Sequence, residues 1–67
     1  MTAAQFEDLT PAEAENLLLL RLRRLLDAGA DPAGGLLLAT QVDIGLEPAI
    51  ELLHQGCPAE LALRILL

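Results

Sequence analysis

Glu51, His54 and Cys57 follow one another at intervals of three residues, bringing the chain's one histidine and one cysteine beside a carboxylate. Glu51-x-x-His54 has the spacing by which carboxylate-bridged metal pairs are held between helices, and Cys57 would add a thiolate one turn on. A two-metal site needs several more inward carboxylates. Glu47 lies one turn earlier on the same helix, and Glu13 and Glu15 would have to come from another. The simpler expectation is an exposed helix end, where a protonated His54 favours the C-terminal dipole. On that reading the chain holds no metal and no cofactor, with Glu51, His54 and Cys57 as the outside candidates.

Nucleophilic chemistry has equally little to work with. A helix N-terminus lowers a cysteine pKa, and Cys57 precedes a proline-led helix start. His54 is close in sequence, but no Asn or Asp is placed to orient its imidazole. The chain is therefore not expected to be an enzyme. The segment from Glu47 to Leu66 has a helix–turn–helix outline. Its second helix, Pro58-Ala59-Glu60-Leu61-Ala62-Leu63-Arg64-Ile65-Leu66, carries one arginine and no Asn or Gln with which to read base edges.

Composition points the same way. Leucine supplies 18 of the 67 residues and alanine 11, Phe6 is the sole aromatic, and lysine is absent. Ten acids stand against Arg21, Arg23, Arg24 and Arg64, for a net charge of −6. Such a surface repels nucleic acid and anionic membranes alike. The longest apolar runs are four residues, far short of the roughly 20 that span a bilayer. No basic segment followed by an apolar one opens the chain, and a lone Cys57 fits a reducing compartment, so a cytoplasmic location is expected. Sixty-seven residues form one domain of marginal stability, for which self-association or assembly with another protein is the remaining support.

The elements that must position these residues are helical throughout. Residues 1–9 read as a leader, and 10–67 as a single helical domain. Thr10-Pro11-Ala12-Glu13 combines an N-cap, a first-position proline and the reciprocal acid of a capping box. It predicts a helix to about Ala28, with Gly29 as its left-handed stop. Asp31-Pro32 opens a second helix to about Gln41, weakened by Gly34 and Gly35. A third covers Glu47 or Pro48 to Gln55, stopped by Gly56, and Cys57-Pro58 opens a fourth that runs to Leu67. Leu25-Leu26-x-x-Gly29 followed by Asp31-Pro32-Ala33 recurs as Leu52-Leu53-x-x-Gly56 followed by Cys57-Pro58-Ala59. Two helical hairpins sharing one core follow, an all-α bundle of about four short helices completed by self-association or a partner.

At 100° per residue, Ala14, Leu18, Leu19, Leu22, Leu25 and Leu26 fall within an arc of about 140°, a core-facing stripe on the long helix. Leu17 and Leu20 lie outside it, among Arg21 and Arg24. These four residues are the expected contact surface for a partner or a second copy.

Leu9-Thr10-Pro11-Ala12-Glu13-Ala14-Glu15-Asn16-Leu17-Leu18-Leu19-Leu20-Arg21-Leu22 resembles the short helical docking segments at the termini of polyketide synthase subunits. That resemblance implies pairing of subunits through a small helical bundle. Gly56-Cys57-Pro58-Ala59-Glu60-Leu61-Ala62-Leu63-Arg64-Ile65-Leu66 looks like the loop and second helix of ubiquitin-associated domains. Leu25-Leu26-Asp27-Ala28-Gly29-Ala30-Asp31-Pro32 is similar to the end of an ankyrin repeat. All three are interaction modules. The expected function is accordingly a small acidic docking, adaptor or assembly subunit that binds another protein or its own copy. The alternative is a regulatory protein with a redox-sensitive or metal-binding Cys57/His54 corner.

Overall fold

The expected helices all form in the computed structural model, which describes residues 1–67, with the third starting at Leu46 and the last at Ala59, neither with a side-chain cap. Five helices follow in order: α1 (Ala3–Glu7), α2 (Pro11–Asp27), α3 (Pro32–Thr40), α4 (Leu46–His54) and α5 (Ala59–Leu66). The one addition to the expected four is α1, a short helix inside residues 1–9. Thr2 caps it and exchanges hydrogen bonds with Gln5 at 3.1 and 2.9 Å. It buries no residue fully.

The capping box on α2 is complete. The Glu13 N–H donates to Thr10 Oγ1 at 3.2 Å, and the Thr10 N–H donates to Glu13 Oε1 at 2.9 Å. Hydrogen bonding to the carboxylate from the Thr10 backbone N–H, and to a lesser extent from the Thr10 hydroxyl, holds the Glu13 carboxyl below its ordinary range. A depressed pKa adds stability above the ordinary carboxylate value, and that stability is lost as pH falls through the lowered one. Thr10→Ala is expected to cost about 0.5–2 kcal/mol at neutral pH. Glu13→Gln keeps the acceptor without the titration. Its urea midpoint should therefore fall less than the wild type's on acidification below about 4.5, the ordinary Glu13 value. Equal acid losses in both proteins would show that the box contributes no pH dependence.

Gly29 and Gly56 end α2 and α4 with φ of +110° and +88°, a region open to glycine at little cost. The carbonyls of Leu25 and Leu52 then accept from the N–H groups of Ala30 and Cys57, both at 3.0 Å. The two hairpins thus turn by the same device. α2 packs on α3 and α4, and α5 packs on the same two helices, so α2 and α5 stand diagonally across the bundle. The molecule measures 34 × 20 × 17 Å.

Alanine lines the core. Of its nine residues, five are Ala30, Ala39, Ala49, Ala59 and Ala62, and only Leu25, Leu38, Leu53 and Ile44 are large. Small side chains let helices approach closely, and α3 carries this furthest. A Cβ on Gly34 would stand 2.6 Å from that of Ala59 in α5. One on Gly35 would stand 3.2 Å from Leu26 and 3.4 Å from Leu22 in α2. The adjacent glycines that weaken α3 in isolation are therefore what allows it to pack between two neighbours.

Candidate functional site

Two features stand out on this scaffold: a buried cation and an apolar surface. Arg21, expected on the contact face, is instead only 6% exposed, the one charged side chain inside the molecule. Its Nε donates to the Ala39 carbonyl at 3.0 Å, and its Nη2 to those of Leu38, Gln41 and Ile44 at 3.3, 3.0 and 2.9 Å. The physical reason lies in α3, whose last four carbonyls have no partner within the helix. Thr40 Oγ1 donates to the Leu37 carbonyl at 2.9 Å. Arg21 serves Leu38 and Ala39, then the turn that leads to α4. A cation at a helix C-terminus also complements the dipole. Burial lowers the Arg21 pKa while nearby Asp43 raises it; a guanidinium remains protonated at any ordinary pH. Arg21 is thus a clip joining α2 to the α3–α4 turn rather than a surface charge.

Seating Arg21 inward rotates α2 about its axis. The buried side now runs through Ala14, Leu18, Arg21, Leu25 and Ala28, a stripe turned by roughly 60° from the one that hydrophobicity alone selects, at 100° per residue. Leu19 and Leu26, expected inside, are exposed at 55% and 39%. Leu17, expected outside, is half-buried. Leu20 is exposed, as is Arg24. Of the four residues expected to meet a partner, Leu20 and Arg24 are fully at the surface, Leu17 partly, and Arg21 not at all.

The surface is unusually rich in leucine. Of eighteen leucines only Leu25, Leu38 and Leu53 are buried. Leu19, Leu20 and Leu26 on α2, Leu36 and Leu37 on α3, and Leu61 on α5 are all 39–55% exposed. Leu19, Leu22 and Leu26 form a shallow groove of about 330 Å³ edged by Arg23 and Asp27. A second crease of about 270 Å³ runs between α4 and α5, lined by Pro48, Glu51, Leu52, Gln55, Ile65 and Leu66. Both creases are open and lack the convergent polar groups that orient a small ligand.

The Cys57 corner is less concentrated than its spacing suggested. Glu51 and His54 are exposed, and Cys57 is half-buried with its thiol 3.5 Å from the Pro58 carbonyl. No three His, Cys, Asp or Glu side chains converge into a metal-holding group. No helix is long and apolar enough to cross a membrane. No protein-family model matches the chain, and no curated protein or solved structure is significantly similar to it.

Proposed function

We propose that this chain is a non-catalytic, cytoplasmic protein–protein interaction module, a docking or assembly subunit whose partner is another protein or its own copy. The observation that carries this reading is the placement of leucine. Alanine supplies five of the nine core residues, while Leu19, Leu20, Leu26, Leu36, Leu37 and Leu61 remain on the outside of α2, α3 and α5. Burying one leucine contributes about 1.5–3 kcal/mol. A bundle that leaves so many of them in water gains more by covering them than by any further contact within itself. Contiguous apolar surface on a small acidic protein marks a site of association. The net charge of −6 favours a protein partner over nucleic acid or an anionic bilayer.

The test compares the intact chain with Leu20→Gln and Leu26→Gln, whose side chains lie outside the core. All three proteins should show the same helicity by circular dichroism. A partner recovered from the native source with the intact chain, or a second copy, should then be titrated in purified form. Each leucine variant is expected to bind at least about tenfold more weakly, the loss of one buried apolar contact. Unchanged affinity in both variants overturns the reading. Cys57→Ser should leave binding unaltered; loss of binding at that position alone would transfer the function to the Cys57/His54 corner.

A further inference from the structure

The negative charge is not spread evenly. α2 carries Glu13, Glu15 and Asp27 against Arg21, Arg23 and Arg24 and is neutral, while the other seven acids are offset by Arg64 alone. All of the net −6 therefore lies outside α2. A second copy brings the same charge with it, and the mutual repulsion is least where the two meet through this helix.

The charges along α2 are also ordered. Glu13 and Glu15 precede the exposed Leu19, and Arg23 and Arg24 follow it, with Asp27 beyond them at the end of the helix. A second α2 laid parallel would align like charges, whereas an antiparallel one sets acids against arginines. Glu15 and Arg23 lie four residues before and after Leu19, about 6 Å on either side. A two-fold axis through Leu19 therefore brings both Glu15–Arg23 pairs opposite each other at once, as an isologous contact requires. The same axis places Leu26, seven residues after Leu19, against Ala12, seven before it. Ala12 is exposed and small, so it leaves room for the leucine.

We propose that the chain forms an antiparallel homodimer through the Leu19 groove of α2, with Glu15 of each copy paired to Arg23 of the partner subunit. The proposal rests on the interaction-module reading and names the occupant of its surface. A standard interface covers roughly 800 Å² per partner, close to a fifth of the 4413 Å² surface here. One helix pair covers less, the size class of weak and transient contacts, so concentrations on the order of micromolar are the ones to test.

Sedimentation of the full chain across a roughly thousandfold concentration range around that value is the measurement. Wild type should pass from monomer to dimer. Glu15→Arg and Arg23→Glu each face like charges across the axis, and each should associate at least tenfold more weakly. Mixed in equal amounts, the two variants should dimerise again, because arginine at one position then meets glutamate at the other. Leu19→Gln should remain monomeric with unchanged helicity. A mixture no tighter than its components overturns the proposal, as do charge variants that associate like wild type. A monomeric wild type also overturns it, but leaves the module reading standing if another purified protein binds and loses affinity at Leu20→Gln or Leu26→Gln. If that binding is absent as well, both readings fail.

Discussion

Replacing Arg21 by methionine is expected to cost about 3–5 kcal/mol, enough to remove most of the stability of a chain this size. Domains hold roughly 0.05–0.15 kcal/mol per residue, or about 3–10 kcal/mol for the whole molecule. Methionine keeps much of the stem's volume but offers no donor. The carbonyls of Leu38, Ala39, Gln41 and Ile44 then lose their bonds to the guanidinium. A hydrogen bond to a charged group contributes about 1.5–3 kcal/mol, and a buried acceptor left without a partner costs about 1–3 kcal/mol. Water entering at the turn recovers part of this, which keeps the total below the simple sum. Arg21→Lys should fall between, since an ammonium lacks the planar fork that reaches α3 and the turn together. The control is Arg23→Met on the exposed side of the same helix, expected within about 0.5 kcal/mol of wild type when every protein is measured well below the concentrations at which it dimerises. Urea denaturation of the three variants gives the comparison. Similar midpoints for Arg21→Met and Arg23→Met would mean that the turn does not depend on the clip.

Gly34→Ala is expected to destabilise by roughly 2–3 kcal/mol, although alanine is the better helix former by up to ~1 kcal/mol. The added methyl meets the Ala59 Cβ and Asp31 Oδ1, both at 2.6 Å. Ala59 cannot swing aside, because its Cβ is fixed to the α5 backbone, so the helices must separate. Asp31 can move, but it is the N-cap of α3, accepting from the Gly34 N–H at 3.1 Å. Overpacking costs about 1–3 kcal/mol and a lost cap about 0.5–2 kcal/mol. Gly35→Ala meets the flexible ends of Leu26 and Leu22, at 3.2 and 3.4 Å, and the Ala30 Cβ at an ordinary contact distance of 3.5 Å. There the propensity gain and a small repacking cost nearly cancel. Thermal unfolding of the pair separates the two effects, and a stabilised Gly34→Ala would refute the close approach of α3 to α5.

What was legible in this sequence was whatever is decided within a few residues. Thr10 with Glu13, Asp31 before Pro32, and Gly29 and Gly56 each satisfy a helix end from nearby, so their effect does not depend on the rest of the fold. The bundle of two hairpins followed from those signals. The direction in which α2 faces did not. A count of apolar positions treats Arg21 as surface, whereas the carbonyls at the end of α3 and in the turn after it, 17 to 23 residues away, draw it inward. Leu19 and Leu26 are turned outward as a result. The adjacency of Gly34 and Gly35 was visible as a defect in a helix, and two glycines side by side can equally mark close helix contacts on two flanks. Glu51, His54 and Cys57 had suitable spacing, but their chain positions say nothing about a second helix bringing ligands to them.

The alanine core has a thermal consequence. The heat capacity of unfolding grows with newly wetted apolar surface, at about 12–15 cal/mol/K per residue for ordinary domains. Here many leucines are wet before unfolding begins, so the monomer's increment lies below that range and its stability curve is shallow. Its stability therefore changes little between cold and warmth while never becoming large. In the dimer proposed above, covering the α2 leucines buries the missing apolar surface, and the heat-capacity decrement then appears in association instead of in folding.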